Sequence, residues 1–151
     1  MKMKRKDTQL LVENWRNLIR GVISENYDSE QQAMNLKNFR NDNRPGGANA
    51  IANGLMGNFS GLKATICLSD DKAGCVIIVE EGNNFFRIDQ KQFGIIYDEL
   101  SLYRRRMSNQ KHPSFFEFYQ GSESIRSCCP MIDSEEAMAR LKECQAIESM
   151  I

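Results

Sequence analysis

Hydrophobic and polar residues change pattern along the chain, and each pattern predicts a different element. From Thr8 to Glu25 apolar residues recur at steps of three and four, which is typical of the apolar face of an amphipathic helix. The centre of that face is formed by Leu11, Trp15, Leu18 and Val22. A capping-box pattern from Ser29 to Gln32 predicts the start of a second helix. Residues 1–44 are therefore predicted to form an N-terminal helical arm.

The helical pattern is interrupted between Asn41 and Gly61. Glycine and asparagine are frequent in this stretch, and Pro45-Gly46-Gly47 is typical of a turn or loop. Apolar residues between Ala48 and Met56 could form a short helix. We interpret residues 45–61 as a Gly/Asn-rich linker between the arm and a core domain at residues 62–151.

The core domain begins with strand patterns. Residues 62–68 alternate apolar and polar side chains, Cys75–Val79 is a β-branched run, and Phe85–Ile88 follows a second turn-forming segment. Three short strands with short connections predict an antiparallel meander. The aromatic run Phe115–Tyr119 is predicted to be a fourth strand.

Two helices are predicted to pack with this sheet. The first follows Asp89 and carries an apolar stripe that ends at three arginines, which place cations at the negative end of the helix dipole. The second begins at Asp133, and its buried side is expected to contain Met138, Leu141 and Cys144, extended by Ile147 or Ile151. The predicted fold class is α+β, with the helical arm preceding a small antiparallel sheet and two helices. The residues expected in the core are Ile66, Val76, Ile78, Phe86, Ile96 and Leu100.

Charge is balanced over the 151 residues, with 20 basic and 20 acidic side chains. This balance excludes a generally basic protein that coats nucleic acid and an acidic mimic of DNA. The two ends differ, because residues 1–44 carry nine basic and six acidic groups and residues 117–151 carry three and seven. The ends of the chain, or neighbouring copies, are therefore expected to attract each other weakly.

The five cysteines show neither the even count of a disulfide framework nor a C-x-x-C pair. The basic start, residues 1–6, is not followed by the unbroken apolar run of a signal peptide. We therefore expect free thiols and a cytoplasmic location. The adjacent Cys128 and Cys129 could form a redox pair, but we interpret them as small, half-buried apolar side chains.

Residues that could carry catalysis or bind a cofactor are scarce. His112 is the only histidine, so a metal site that uses two histidines is excluded. The carboxylate pairs Asp70-Asp71 and Glu80-Glu81 flank predicted turns, where solvated acids are common. The glycines match no phosphate loop or dinucleotide fingerprint. We predict a non-enzymatic protein with no catalytic residue, no cofactor and no metal, although an enzyme without a known motif stays an alternative.

Two basic clusters indicate the main alternative function, which is that of a nucleic-acid-binding or host-directed regulatory protein. They lie at residues 2–6 and 104–111, and their candidate contact residues are Lys4, Arg5, Lys6, Arg104, Arg105 and Arg106. The aromatic side chains of the run Phe115–Tyr119 could stack on bases. Because side chains alternate between the two faces of a strand, at least half of them would point into the core.

The segment Leu10–Ile19 reads LLVENWRNLI and follows a basic start. It resembles the LLVENWR segment at the N-terminus of many small proteins of marine tailed bacteriophages. The resemblance covers about a dozen residues and none of the core. It implies a phage origin, in an infected host cell or a virion, and a docking role for the segment through Leu11, Trp15, Leu18 and Val22. The alternative is that Trp15 packs on its own domain.

Overall fold

The computed structural model describes residues 29–107 and 114–151. The predicted helix of residues 8–25 lies outside these ranges. No helix in the described part of the chain is long and apolar enough to cross a membrane.

Four antiparallel strands form one sheet in the order β1-β2-β3-β4. The strands are β1 (Leu62–Leu68), β2 (Cys75–Glu81), β3 (Asn84–Asp89) and β4 (Met131–Ile132). The predicted three-strand meander is confirmed. Only two residues connect β2 to β3, and Gly82 has a φ of 59° there, as the first central position of a type II′ hairpin turn requires.

Six helices occur in the described ranges, and the fold class is α+β as predicted. They are α1 (residues 29–40), α2 (Ala48–Asn58), α3 (Phe93–Met107, preceded by a 3-10 turn at Gln90–Gln92), α4 (Phe115–Gln120), α5 (Glu123–Cys128) and α6 (Ser134–Glu148). The capping pattern at the start of α6 is confirmed, because the Asp133 carboxylate accepts a hydrogen bond from the Glu136 amide at 2.7 Å.

Helices cover both faces of the sheet. Helix α2 packs on β1 and β2, and α6 packs on β1 and β3. The strand register puts Cys67 and Arg87 on the same face, and both contact α6. The opposite face carries Phe86, whose ring packs edge-on against Phe115 of α4. The sheet is thus the middle layer between α6 and the group of α2, α3 and α4.

Helix α1 protects the outer edge of β1 through a single arginine. The Arg40 guanidinium donates to the Ile66 carbonyl from Nε at 3.3 Å and Nη2 at 3.0 Å. Its Nη1 pairs with Glu148 at the end of α6 at 2.6 Å. Nη1 of Arg140 donates to the next outward carbonyl, that of Leu68, at 3.5 Å. These side chains occupy carbonyls that an added strand would otherwise use.

The segment predicted as a fourth strand is a helix. Phe115–Gln120 forms α4, because Ser114 caps its first turn and the Glu81 carboxylate accepts from the amides of Phe115 and Phe116 at 2.7 and 3.0 Å. Phe115 and Phe118, three residues apart, are both buried. The fourth strand is instead the two-residue β4, paired to β3.

The stretch interpreted as a linker contributes to the core. Within residues 45–61, helix α2 buries Ala48, Ile51, Ala52 and Leu55. These positions repeat at steps of three and four, so one helix face is apolar despite the flanking glycines. The linker interpretation is therefore corrected for residues 48–58, and α1 also joins the core through Leu36.

The six residues expected in the core are all buried. The prediction for α6 is wrong for Met138, which is exposed, and Ala137 is buried in its place; of the alternatives Ile147 and Ile151, Ile147 is the buried one. Cys144 and Ile147 are buried as expected, and Leu141 is partly buried. Side chains at 137, 144 and 147 point to the sheet, whereas position 138 is turned about 100° away from 137.

Replacement of Ile78 by alanine is expected to lower the free energy of unfolding by about 2–5 kcal/mol, because the side chain is fully buried on the α6 face of β2. Urea titration followed by circular dichroism measures this change. Met138→Ala, at a position 49% exposed on α6, is the control and should change stability by less than about 0.5 kcal/mol. A loss below about 1 kcal/mol for Ile78→Ala would contradict the burial of this position.

Candidate functional site

The basic cluster at the end of α3 is the part of the predicted site that the structure describes. Arg104, Arg105 and Arg106 occupy the last turn of the helix and are all exposed. Tyr103 before them is buried and packs on Phe59 and Phe118. The core therefore fixes the helix end from which the three guanidinium groups project. The other candidate residues, Leu11, Trp15, Leu18 and Val22 for a partner and Lys4, Arg5 and Lys6 for nucleic acid, lie outside the described residues.

A groove separates α3 from α5. Its cavity of about 420 Å³ is lined by Gln92, Ile95, Glu123, Ser124, Ser127 and Cys128. Ile95 is 38% exposed and Leu102, seven residues later on the same side of the helix, is 45% exposed. A hydrogen bond of 2.9 Å from Ser122 to the Glu99 carboxylate holds the two helices together beside the groove. This groove could not be predicted from the sequence, because it depends on where α5 packs.

A larger cleft, of about 590 Å³, opens at the end of the sheet where the β1–β2 turn meets the end of β3. Its lining includes Asp70, Cys75, Arg87, Asp89 and Lys91.

Three of the charged side chains that line this cleft, Asp70, Arg87 and Asp89, are held in ion pairs. Asp70 pairs with Arg87, at 3.5 Å, and with Arg140 of α6. Arg87 also contacts Asp89 at 2.9 Å and Glu136 at 3.9 Å. These pairs join the turn, β3 and α6, so the paired side chains have a structural role.

The two carboxylate pairs noted in the sequence have specific roles. The Ser69 hydroxyl donates to Asp71 and lowers the pKa of its carboxyl, as does the amide of Ala73 at 3.0 Å. Asp71 is therefore a turn acid, as expected. Glu81 is not simply solvated, because it binds the first amides of α4. In neither pair do the two carboxylates act together.

Four of the five cysteines form disulfides. Cys67 on β1 is joined to Cys144 on α6, 77 residues away, and Cys128 is joined to Cys129. The expectation of free thiols is wrong for these four, because spacing along the chain does not show which side chains meet in the fold. Closing a loop of this length restricts the unfolded chain, and in the chain-entropy account the Cys67–Cys144 bond stabilises the fold by about 4–5 kcal/mol.

The fifth cysteine, Cys75, is a buried thiol at the start of β2. Burial, and then the negative charge of Asp42, raises the pKa of this thiol from 9.0 to about 12. Asp42 itself is held in its charged form because the Arg44 side chain donates to it and lowers its pKa. Cys75 therefore stays protonated and is not placed to act as a nucleophile.

In the described ranges no group of three or more His, Cys, Asp and Glu side chains is arranged to hold a metal ion. Comparison of the chain with protein-family models, with curated proteins and with solved structures finds no match.

Cys75 is expected to react slowly with iodoacetamide in the folded protein. The rise in pKa from 9.0 to about 12 lowers the thiolate fraction at pH 8 about 1,000-fold. The folded state keeps this proton between pH 9 and 12 whereas the unfolded chain loses it, so the free energy of unfolding should fall as pH rises through that interval. Mass spectrometry after alkylation, with and without urea, measures the reactivity. Equal rates in both conditions would contradict the burial.

Proposed function

We propose that this chain is a non-enzymatic protein that acts by protein–protein contact, as a virion component or accessory factor of a tailed bacteriophage in the infected host cell or the virion. Its docking element is the segment of residues 8–25, and the contact residues are Leu11, Trp15, Leu18 and Val22. The partner is a protein or a second copy of the chain.

The observation that carries this proposal is the coverage of the sheet. Helices α2 and α6 pack on its opposite faces, and α1 protects its outer edge through Arg40. The buried cluster of the described residues therefore leaves neither face of β2 open for another apolar helix. This supports a role for the amphipathic face of residues 8–25 toward another molecule.

The composition of that face supports the same role. A single helix of about 18 residues is marginally stable in water, so it gains stability by packing on a surface. Trp15 lies at its centre, and tryptophan is among the residues that contribute most often to binding energy at protein interfaces.

Replacement of Trp15 by alanine is expected to leave the folded body intact and to weaken association by about 2 kcal/mol or more, close to a 30-fold rise in the dissociation constant. Sedimentation equilibrium of the full chain measures self-association, and thermal unfolding of the same sample measures the fold.

Asn17→Ala, on the polar face of the same segment, is the matched control and should change neither measurement. If Trp15→Ala abolishes the melting transition and leaves association unchanged, Trp15 belongs to the core and the docking role is wrong.

A second candidate function is nucleic-acid binding through the end of α3. The observation that favours it is that Arg104, Arg105 and Arg106 are all exposed and make no ion pair with another described residue. Cations in this turn also complement the helix dipole, and that simpler role accounts for them without a ligand.

The triple variant R104Q/R105Q/R106Q separates the two roles. If the arginines contact phosphates, the slope of log affinity for duplex DNA against log salt concentration should fall by about 2 to 3. Fluorescence anisotropy at several salt concentrations measures this slope. An affinity that is independent of salt in the unmodified protein would exclude this second function.

A further inference from the structure

We propose that the Cys128–Cys129 disulfide is a thiol–disulfide exchange site that accepts a small thiol in the groove between α3 and α5. The proposal is independent of the protein-contact role, because it uses neither the segment of residues 8–25 nor the arginines of α3.

The two cysteines of this disulfide differ in accessibility. Cys128 is half-buried in the last turn of α5 and lines the groove of about 420 Å³. Cys129 is only 1% exposed. An incoming thiol can therefore reach Sγ of Cys128 from the groove, whereas Sγ of Cys129 lies behind it in the core.

The Cys67–Cys144 disulfide, in contrast, is shielded from solvent and closes a long loop. Both of its cysteines are buried, and it closes a sequence separation of 77 residues. A bond between adjacent residues restricts the unfolded chain very little, so stabilisation of the fold does not account for Cys128–Cys129. Accessible disulfides are the ones that exchange with external thiols, whereas shielded ones resist reduction.

The groove gives a bound thiol both apolar and polar contacts. Ile95 supplies exposed apolar surface on α3, and Ser124 and Ser127 supply hydroxyl groups on α5. A small peptide thiol combines these two kinds of surface, which makes it the ligand class that fits the lining.

The exchange proceeds in two balanced steps. In the first, the external thiolate forms a bond to Sγ of Cys128, the Cys128–Cys129 bond breaks, and its electron pair leaves on Sγ of Cys129, which takes up a proton from solvent. In the second, another thiolate attacks the external sulfur of this mixed disulfide, the bond to Cys128 breaks, and its electron pair leaves on Sγ of Cys128, which takes up a proton from solvent. Two external thiols are thus oxidised to one disulfide, and the protein pair is reduced to a dithiol.

Titration of the full chain with reduced glutathione tests the site. After trapping with iodoacetamide, peptide mapping should show half-reduction of Cys128–Cys129 at a glutathione concentration at least about tenfold lower than for Cys67–Cys144. Reduction of Cys67–Cys144 first, or of both bonds together, would overturn the proposal.

A matched pair of variants tests which sulfur is attacked. In oxidised glutathione, Cys129→Ser should form a mixed disulfide at Cys128 at least about tenfold faster than Cys128→Ser forms one at Cys129. Equal rates, or faster reaction at Cys129, would overturn the assignment. If either variant fails to fold, fragmentation of the mixed disulfide trapped in the unmodified chain gives the same information, because glutathione must be found on Cys128 and not on Cys129.

Discussion

Burial of the first five residues of β2 is the constraint on which the architecture depends. Residues Cys75–Val79 of β2 are all buried, so both faces of the sheet need a covering layer. Each fully buried aliphatic side chain contributes about 1.5–3 kcal/mol. Exposure of one face would uncover several of them, at a cost comparable with the whole stability of a typical domain, which is about 5–15 kcal/mol. Helices α2 and α6, the Cys67–Cys144 bond and the Arg40 contacts can all be understood as means of keeping these layers in place.

The elements that could be predicted from the sequence are those whose signal is local. Strands β1 to β3 carry their alternation and turn residues within the segment 62–89, and α3 carries its apolar stripe within 15 residues. The start of α6 is set by Asp133, whose carboxylate accepts a hydrogen bond from the Glu136 amide three residues later. For the site, the sequence predicts the position of the three arginines in the last turn of α3.

The features that could not be predicted depend on contacts between distant residues. Helix α4 is selected over a strand by Glu81, 34 residues before Phe115. The partners of Cys67 and Arg40 lie 77 and 108 residues away. From the sequence, the segment that forms α2 is interpreted as part of a linker because glycine and asparagine favour loops locally. Burial of its apolar residues against β1 favours the helix instead. The groove that exposes Cys128 exists only once α5 has packed on α3.

Protection of the β1 edge has a consequence for synthesis of the chain on the ribosome. The Leu68 carbonyl is covered by Arg140, 72 residues later, and the Ile66 carbonyl by Arg40, which is itself held by Glu148. At bacterial to eukaryotic elongation rates, roughly 4–14 s separate the emergence of β1 from that of α6. During that interval the meander can form with its outer edge open and one face of β2 bare. The nascent chain therefore passes through a stage in which strand addition by a neighbouring chain competes with its own folding, and the packing of α6 ends that competition.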